Sequence, residues 1–187
     1  KVDGVENVIG GNGNDLLIID ETEAAKDNTF NGGAGIDRIE YRNNYGTGGA
    51  DAEPQVAIKV LGVGASTVTM TGGRVASAGA AGATDTLTSV EFITLAQNTA
   101  GGASESDVLD VTALTSGAVV SYVDGTVKDL AGVTQVVIEN IAQIENIWAD
   151  GNDTVIVADA DIMGTNARSD FSNSTPITDL AFATFLD

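Results

Sequence analysis

Two segments of this chain answer to one nine-residue formula. Gly10-Gly11-Asn12-Gly13-Asn14-Asp15-Leu16-Leu17-Ile18 and Gly32-Gly33-Ala34-Gly35-Ile36-Asp37-Arg38-Ile39-Glu40 both spell G-G-x-G-x-D-x-U-x, with U a large aliphatic residue, and their aspartates lie 22 residues apart. A recurring glycine-rich turn followed by a short aliphatic strand favours stacking of like units, because one unit cannot bury its apolar face alone. Asp150-Gly151-Asn152-Asp153-Thr154-Val155-Ile156 echoes the Gly-Asn-Asp of residues 13–15, while Thr84-Asp85-Thr86-Leu87 and Ser106-Asp107-Val108-Leu109 keep only the D-x-U core. The D-x-U aspartates at 15, 37, 85, 107 and 153 follow one another at 22, 48, 22 and 46 residues, which fits rungs of roughly 22 with two rungs in each long gap.

A second phrase, apolar-Glu-x-apolar, recurs at Val5-Glu6-Asn7-Val8-Ile9, Val90-Glu91-Phe92-Ile93 and Ile144-Glu145-Asn146-Ile147-Trp148. Stretches such as Val56–Val60, Thr67–Met70, Val119–Tyr122 and Val136–Ile138 read as short strands between glycine-containing turns. Helical periodicity is scarce, with Asp20 to Lys26 the best helical turn, and Gly72 to Gly82 reads as an irregular insertion. The expected fold is all-β: a parallel β-roll or β-helix solenoid over residues 1–158, followed at 159–187 by a terminal cap, a linker or the start of another module. Ser169 to Pro176 has the texture of a linker.

In such a stack, equivalent turns lie about 4.8 Å apart and their aspartates form columns. Two carboxylates at that separation repel by about 3 kcal/mol at an effective dielectric near 20. The 8 Lys and Arg residues recur at no fixed place in the turns, so protein charge is not the counter-ion. A calcium ion answers the need, since it takes six to eight oxygens from carboxylates and carbonyls and tolerates irregular geometry. Magnesium fits less well, because it dehydrates reluctantly and demands a near-ideal octahedron.

The two nonapeptides resemble the repeats-in-toxin calcium-binding family, the β-roll modules of large proteins exported by Gram-negative bacteria. The likeness is strong over the first 40 residues and weaker to Asp159. It implies that Asp15 and Asp37 supply carboxylates to calcium, that Gly10, Asn12, Gly13, Gly33 and Gly35 supply carbonyls, and that Leu17 and Ile39 point inward. Asp15 and Asp37 share one ion or serve separate half-sites, and Asp150 and Asp153 form a further candidate site through their echo of the motif. A 22-residue rung is longer than two nonapeptides, which places the extra length in a turn through Glu21 to Asn28. The resemblance also implies export in an unfolded state, with calcium triggering the fold outside the cell or at its surface.

Composition removes other functions. There are 27 acidic and 8 basic residues, a formal charge of −19, no histidine and no cysteine. Nucleic acid and anionic lipid would need a cationic face. His-based triads, thiolates, disulfides and His-ligated zinc are absent for want of the residues. No run of 18 or more apolar residues is present, so membrane insertion is not expected. Without an initiator Met or a leader, the chain reads as a segment of a longer protein.

The expected function is therefore a non-catalytic, calcium-dependent structural module of an extracellular bacterial protein such as an adhesin, surface-layer or matrix component. Neighbouring modules of the same parent chain, self-assembly and a cell-surface glycan are the candidate partners. Trp148 is a packing residue or a sugar platform, and Tyr41 and Tyr45, near Arg42 and Asn44, are packing residues or glycan contacts. Each motif aspartate has a plainer role as a cap on backbone N–H groups. Glu6, Glu91 and Glu145 face outward, bond a turn or bind metal. The competing reading is the β-roll or β-helix portion of a secreted polysaccharide-active enzyme or protease, with Lys59, Arg74 and Lys128 as conceivable parts. A third is that the acidity reflects a high-salt habitat.

Overall fold

The computed structural model describes residues 6–19, 26–41, 55–71, 83–95, 107–141, 144, 146–150, 153–158 and 182–186. Their strands are β1 (Asn7–Gly11), β2 (Leu16–Ile19), β3 (Thr29–Gly33), β4 (Arg38–Tyr41), β5 (Gln55–Gly62), β6 (Ala65–Thr71), β7 (Ala83–Thr88) and β8 (Phe92–Thr94). Then come β9 (Val108–Asp110), β10 (Ala118–Ser121), β11 (Thr126–Asp129), β12 (Thr134–Glu139), β13 (Asn146–Trp148), β14 (Thr154–Ala158) and β15 (Phe182–Leu186). Two sheets result, one in the order β1-β3-β7-β6-β5-β9-β13 and the other β15-β14-β10-β11-β12-β8-β4-β2.

Period-two alternation sets which side chains go in. In β4, Ile39 and Tyr41 are buried while Arg38 and Glu40 are half-buried; in β7, Ala83, Asp85 and Leu87 are buried while Thr86 and Thr88 are exposed. The inward residues of both sheets, among them Phe30, Ile58, Val68 and Leu87 from the first and Ile39, Ile93, Val127 and Ile138 from the second, form one core. Each fully buried Ile, Leu or Phe contributes about 1.5–3 kcal/mol by leaving water. Small and β-branched residues predominate in this core, which suits a layer between two pleated faces.

The 22-residue spacing is a parallel register: Asn7 pairs with Thr29 and Leu16 with Arg38. The expectation of a parallel β-roll or β-helix solenoid is nonetheless corrected, because both sheets are mixed. β6 runs antiparallel to β5 and β7, and β11 antiparallel to β10 and β12. The cause is local. Residues 55–71 form two alternating runs around Gly62-Val63-Gly64, with Gly64 at φ 60°, so the chain folds back as a hairpin rather than crossing over. Asp124-Gly125, with φ 72° at the glycine, turns β10 into β11 in the same way.

The reversed strands also overturn the rung count. β7 and β9 are separated by β6 and β5, so the 22 residues between Asp85 and Asp107 do not span one rung. β4 pairs instead with β8 across 54 residues. Of the expected helical turn at 20–26 only Lys26 is described, and it stands in a bend; the insertion at 72–82 and the linker at 169–176 lie outside the described residues. Within the expected terminal segment, β15 pairs in parallel with β14. Among the described residues no helix is long and apolar enough to cross a membrane.

Candidate functional site

The connections between β1 and β2, β3 and β4, and β7 and β8 stack on one side of the two sheets. Arg38 N–H donates to the Asp15 carbonyl, and the N–H groups of Glu91 and Phe92 donate to the Asp37 carbonyl. The side chains repeat the pattern: Asp15 N–H donates to Asp37 Oδ1 at 2.8 Å, and Asp37 N–H donates to Glu91 Oε2 at 2.7 Å. Asp15, Asp37 and Glu91 therefore stand in one column, each later carboxylate capping the residue one strand before it.

The same device opens other parallel strands. Asp85 Oδ1 accepts the N–H of Asn28 at 3.0 Å, Asp107 Oδ1 that of Val56 at 2.8 Å, and Asp153 Oδ1 that of Ala118 at 2.6 Å. Each donor and acceptor stand one residue before the parallel pairs Thr29–Thr86, Ala57–Val108 and Val119–Thr154, so the D-x-U core joins a new strand to an earlier one through a charge-assisted hydrogen bond.

The carboxylates differ in what remains unused. Asp153 Oδ2 accepts the N–H of Asp150 at 2.7 Å. Burial raises its pKa above the ordinary value and the Asp150 charge adds to this, against the two backbone donors. Asp85, 1% exposed, accepts from Asn28 Nδ2 at 2.8 Å and Tyr41 OH at 2.9 Å. Burial raises its pKa despite these donors, and the Asp27 charge adds to the rise. Burial, then the charge of Asp85, holds the Tyr41 phenol well above its usual range.

Asp15 and Asp37 are different, because Oδ2 of each is buried and has no hydrogen-bond partner. Asp37 is 0% exposed. The first glycine of each nonapeptide explains where these oxygens go. A Cβ on Gly10 would collide with Asp15 Oδ2 and the Gly32 carbonyl oxygen, and a Cβ on Gly32 with Asp37 Oδ2 and the Ser89 carbonyl oxygen. In each turn, then, a carboxylate oxygen and a carbonyl oxygen from the next turn converge over a bare Cα.

The other motif residues are placed unequally. Gly33, at φ 101°, lies directly over the Gly11 carbonyl, and Gly35, at φ 139°, over that of Gly13. The Gly11 carbonyl accepts the Ala34 N–H at 2.7 Å, and Asn14 Oδ1 accepts that of Ile36 at 3.0 Å. Asn12, Gly13 and Asp150 are exposed. Leu17 packs against the core and Ile39 lies within it, both facing inward.

As a test for a bound cation, these residues offer oxygen only, with two orphaned carboxylate oxygens beside carbonyls, a donor set that suits calcium. Among the described residues no three acidic side chains converge on one point, so carbonyls would make up most of the shell. The ion pairs Arg38–Glu139 and Lys59–Asp110, at 2.7 and 3.0 Å, engage those cations with other acids.

Glu91 is the member of the column that motif reading did not place, since its turn lacks the nonapeptide; the available signal was its recurrence in the apolar-Glu phrase. Glu6 is exposed, and Glu145 lies outside the described residues. Tyr41 is buried with its hydroxyl on Asp85, so it is a packing residue, while Arg42, Asn44, Tyr45 and Arg74 lie outside the described residues. Trp148 is 37% exposed at the end of the first sheet. Lys59 and Lys128 stand on different sheets, each beside inward-facing neighbours, and are not brought together. No family model matches this chain, and neither does any curated protein or solved structure.

Proposed function

We propose that this chain is a non-catalytic, calcium-dependent structural module of an extracellular protein. What supports the reading is one observation above all: two turns of the same motif in parallel register, each holding a buried carboxylate oxygen without a hydrogen-bond partner. The resemblance of those turns to the repeats-in-toxin nonapeptide agrees with it, as does a charge of −19.

Asp15 and Asp37 hold the candidate ligand oxygens, Gly10 and Gly32 leave room for them, and the carbonyls of Gly32 and Ser89 complete the oxygen pairs. Bound calcium would supply the positive charge that lets these oxygens approach one another. Ion binding then adds directly to folding free energy, so removing calcium leaves the acidic chain less stable and adding it raises the stability of the fold. Scanning calorimetry of the chain with calcium and with chelator tests this. The expected result is a melting temperature that rises with calcium and falls back with chelator; superimposable curves would refute the reading.

A further inference from the structure

We infer that the β1/β2 end of the stack is a docking surface for a second copy of this chain. The second copy seats there by its β13/β15 end, so that copies join head to tail and both sheets continue in parallel register.

Strand direction permits this contact. Among the described residues, β1 pairs only with β3 and β2 only with β4, while β13 pairs only with β9 and β15 only with β14. Each sheet therefore ends, at both ends, in a strand with one open edge among those residues. The reversed strands β6 and β11 each lie between two strands that run the other way. The reversals cancel, so β13 runs in the direction of β1 and β15 in that of β2. A copy translated along the stack meets its neighbour as one parallel level meets the next.

The capping carboxylates give the stack a polarity. Asp37 and Glu91 accept the N–H groups of Asp15 and Asp37, Asp85 that of Asn28, Asp107 that of Val56 and Asp153 that of Ala118. In every case the acid caps the neighbour nearer the β1/β2 end. Glu6 and Asp15 hold the same position, one residue before the pairs Asn7–Thr29 and Leu16–Arg38. Among the described residues neither side chain accepts a hydrogen bond. By position they are the caps of a level that one copy alone does not supply. Two β1/β2 ends set face to face would instead oppose these acids to their own copies, with like charges and no strand-opening N–H between them.

The side chains of the end level agree. Ile9, Leu16 and Ile18 are exposed on its outer faces, Ile9 at 78%, where the residues paired with them one level on are Asn31, Arg38 and Glu40. Val8 and Leu17 face inward yet are only half-buried, whereas their partners Phe30 and Ile39 are buried. A further level would cover both sets, and an open edge with apolar neighbours is a template for another chain.

Sedimentation velocity of the chain over a range of concentrations tests the contact. A head-to-tail contact does not close on itself, so the mean mass is expected to grow past that of a dimer as concentration rises. Ile9→Lys sets a charge on the outer face of β1, away from the turns, and is expected to stay monomeric while melting as the wild type does. A fluorescently labelled Ile9→Lys should nevertheless co-sediment with wild-type assemblies, because its β13/β15 end is intact. A wild type that stays monomeric at every concentration overturns the proposal, as does growth that stops at a dimer. Assembly of Ile9→Lys alone overturns it too, and so does exclusion of the labelled variant, which marks two β1/β2 ends meeting. Should Ile9→Lys fail to fold by circular dichroism, Ile18→Lys makes the same measurements with the same expectations. The contact rests on strand direction and not on calcium, so a monomer that takes up calcium leaves the earlier reading standing, and an assembly indifferent to chelator leaves this one.

Discussion

The backbone N–H of Asp15 donates to Oδ1 of Asp37 across 22 residues, at 2.8 Å. One side chain thus fixes the register of two parallel strands and leaves its other oxygen pointing at the carbonyl of Ser89. The motif aspartate carries its structural use and its proposed ligand use in separate atoms.

That division predicts the behaviour of Asp37→Asn. The asparagine oxygen still accepts from Asp15, and its amide nitrogen replaces the orphaned oxygen with a donor beside the Ser89 carbonyl. In chelator the variant should be more stable than the wild type, by about 1 kcal/mol for one new hydrogen bond. Calcium should raise its melting temperature less than it raises that of the wild type. Calorimetry in both conditions checks the pair of outcomes.

Acid should stabilise the metal-free chain. Burial raises the pKa of Asp85 and Asp153 in the folded state, so between the ordinary aspartate value and the raised one the folded chain holds more protons than the unfolded chain. Stability then increases as pH falls through that window and is lost as pH rises above it. Denaturant melts in chelator from pH 7 toward pH 4.5 should show the increase, and Asp85→Asn, which keeps an acceptor for Asn28, should flatten it.

Glycines that look equivalent in the formula should respond unequally. Gly33 has φ 101° and sits on the Gly11 carbonyl, so Gly33→Ala meets both backbone strain and a collision and should cost about 2 kcal/mol or more. Gly13 has nothing within reach of an added Cβ. Gly13→Ala should stay within about 1 kcal/mol, and urea melts of the two variants measure the contrast.

Two isoleucines of one nonapeptide provide a packing test. Ile39→Ala empties a fully buried position and should cost about 2–5 kcal/mol, whereas Ile36, 56% exposed, should tolerate alanine within about 0.5 kcal/mol. Equal losses in chemical denaturation would place the core elsewhere.

These contrasts indicate how much was legible beforehand. The nonapeptides declared their parallel register through short-range repetition, and their family resemblance implied the inward Ile39. The hairpin at Gly62-Val63-Gly64 was visible as two strands but not as a reversal, since alternation fixes a strand's faces and not its direction. Asp85 and Asp107 share a spacing with Asp15 and Asp37 for no structural reason, as β6 and β5 come between their strands. Glu91 was legible as a residue that bonds a turn, but not which turn, because its partner Asp37 lies 54 residues away. Tyr41, read as a packing residue or a glycan contact, packs in the core and donates to Asp85, a partner 44 residues away that no local pattern announces.

The two reversed strands have a consequence for fidelity. A tower of interchangeable storeys can slide by one floor and recover nearly all its contacts, so many misaligned versions compete with the correct one. β6 and β11 each interrupt the ladder once, at a place no other storey can imitate. They work as keys in a lock, and only one alignment of the whole chain lets both of them seat.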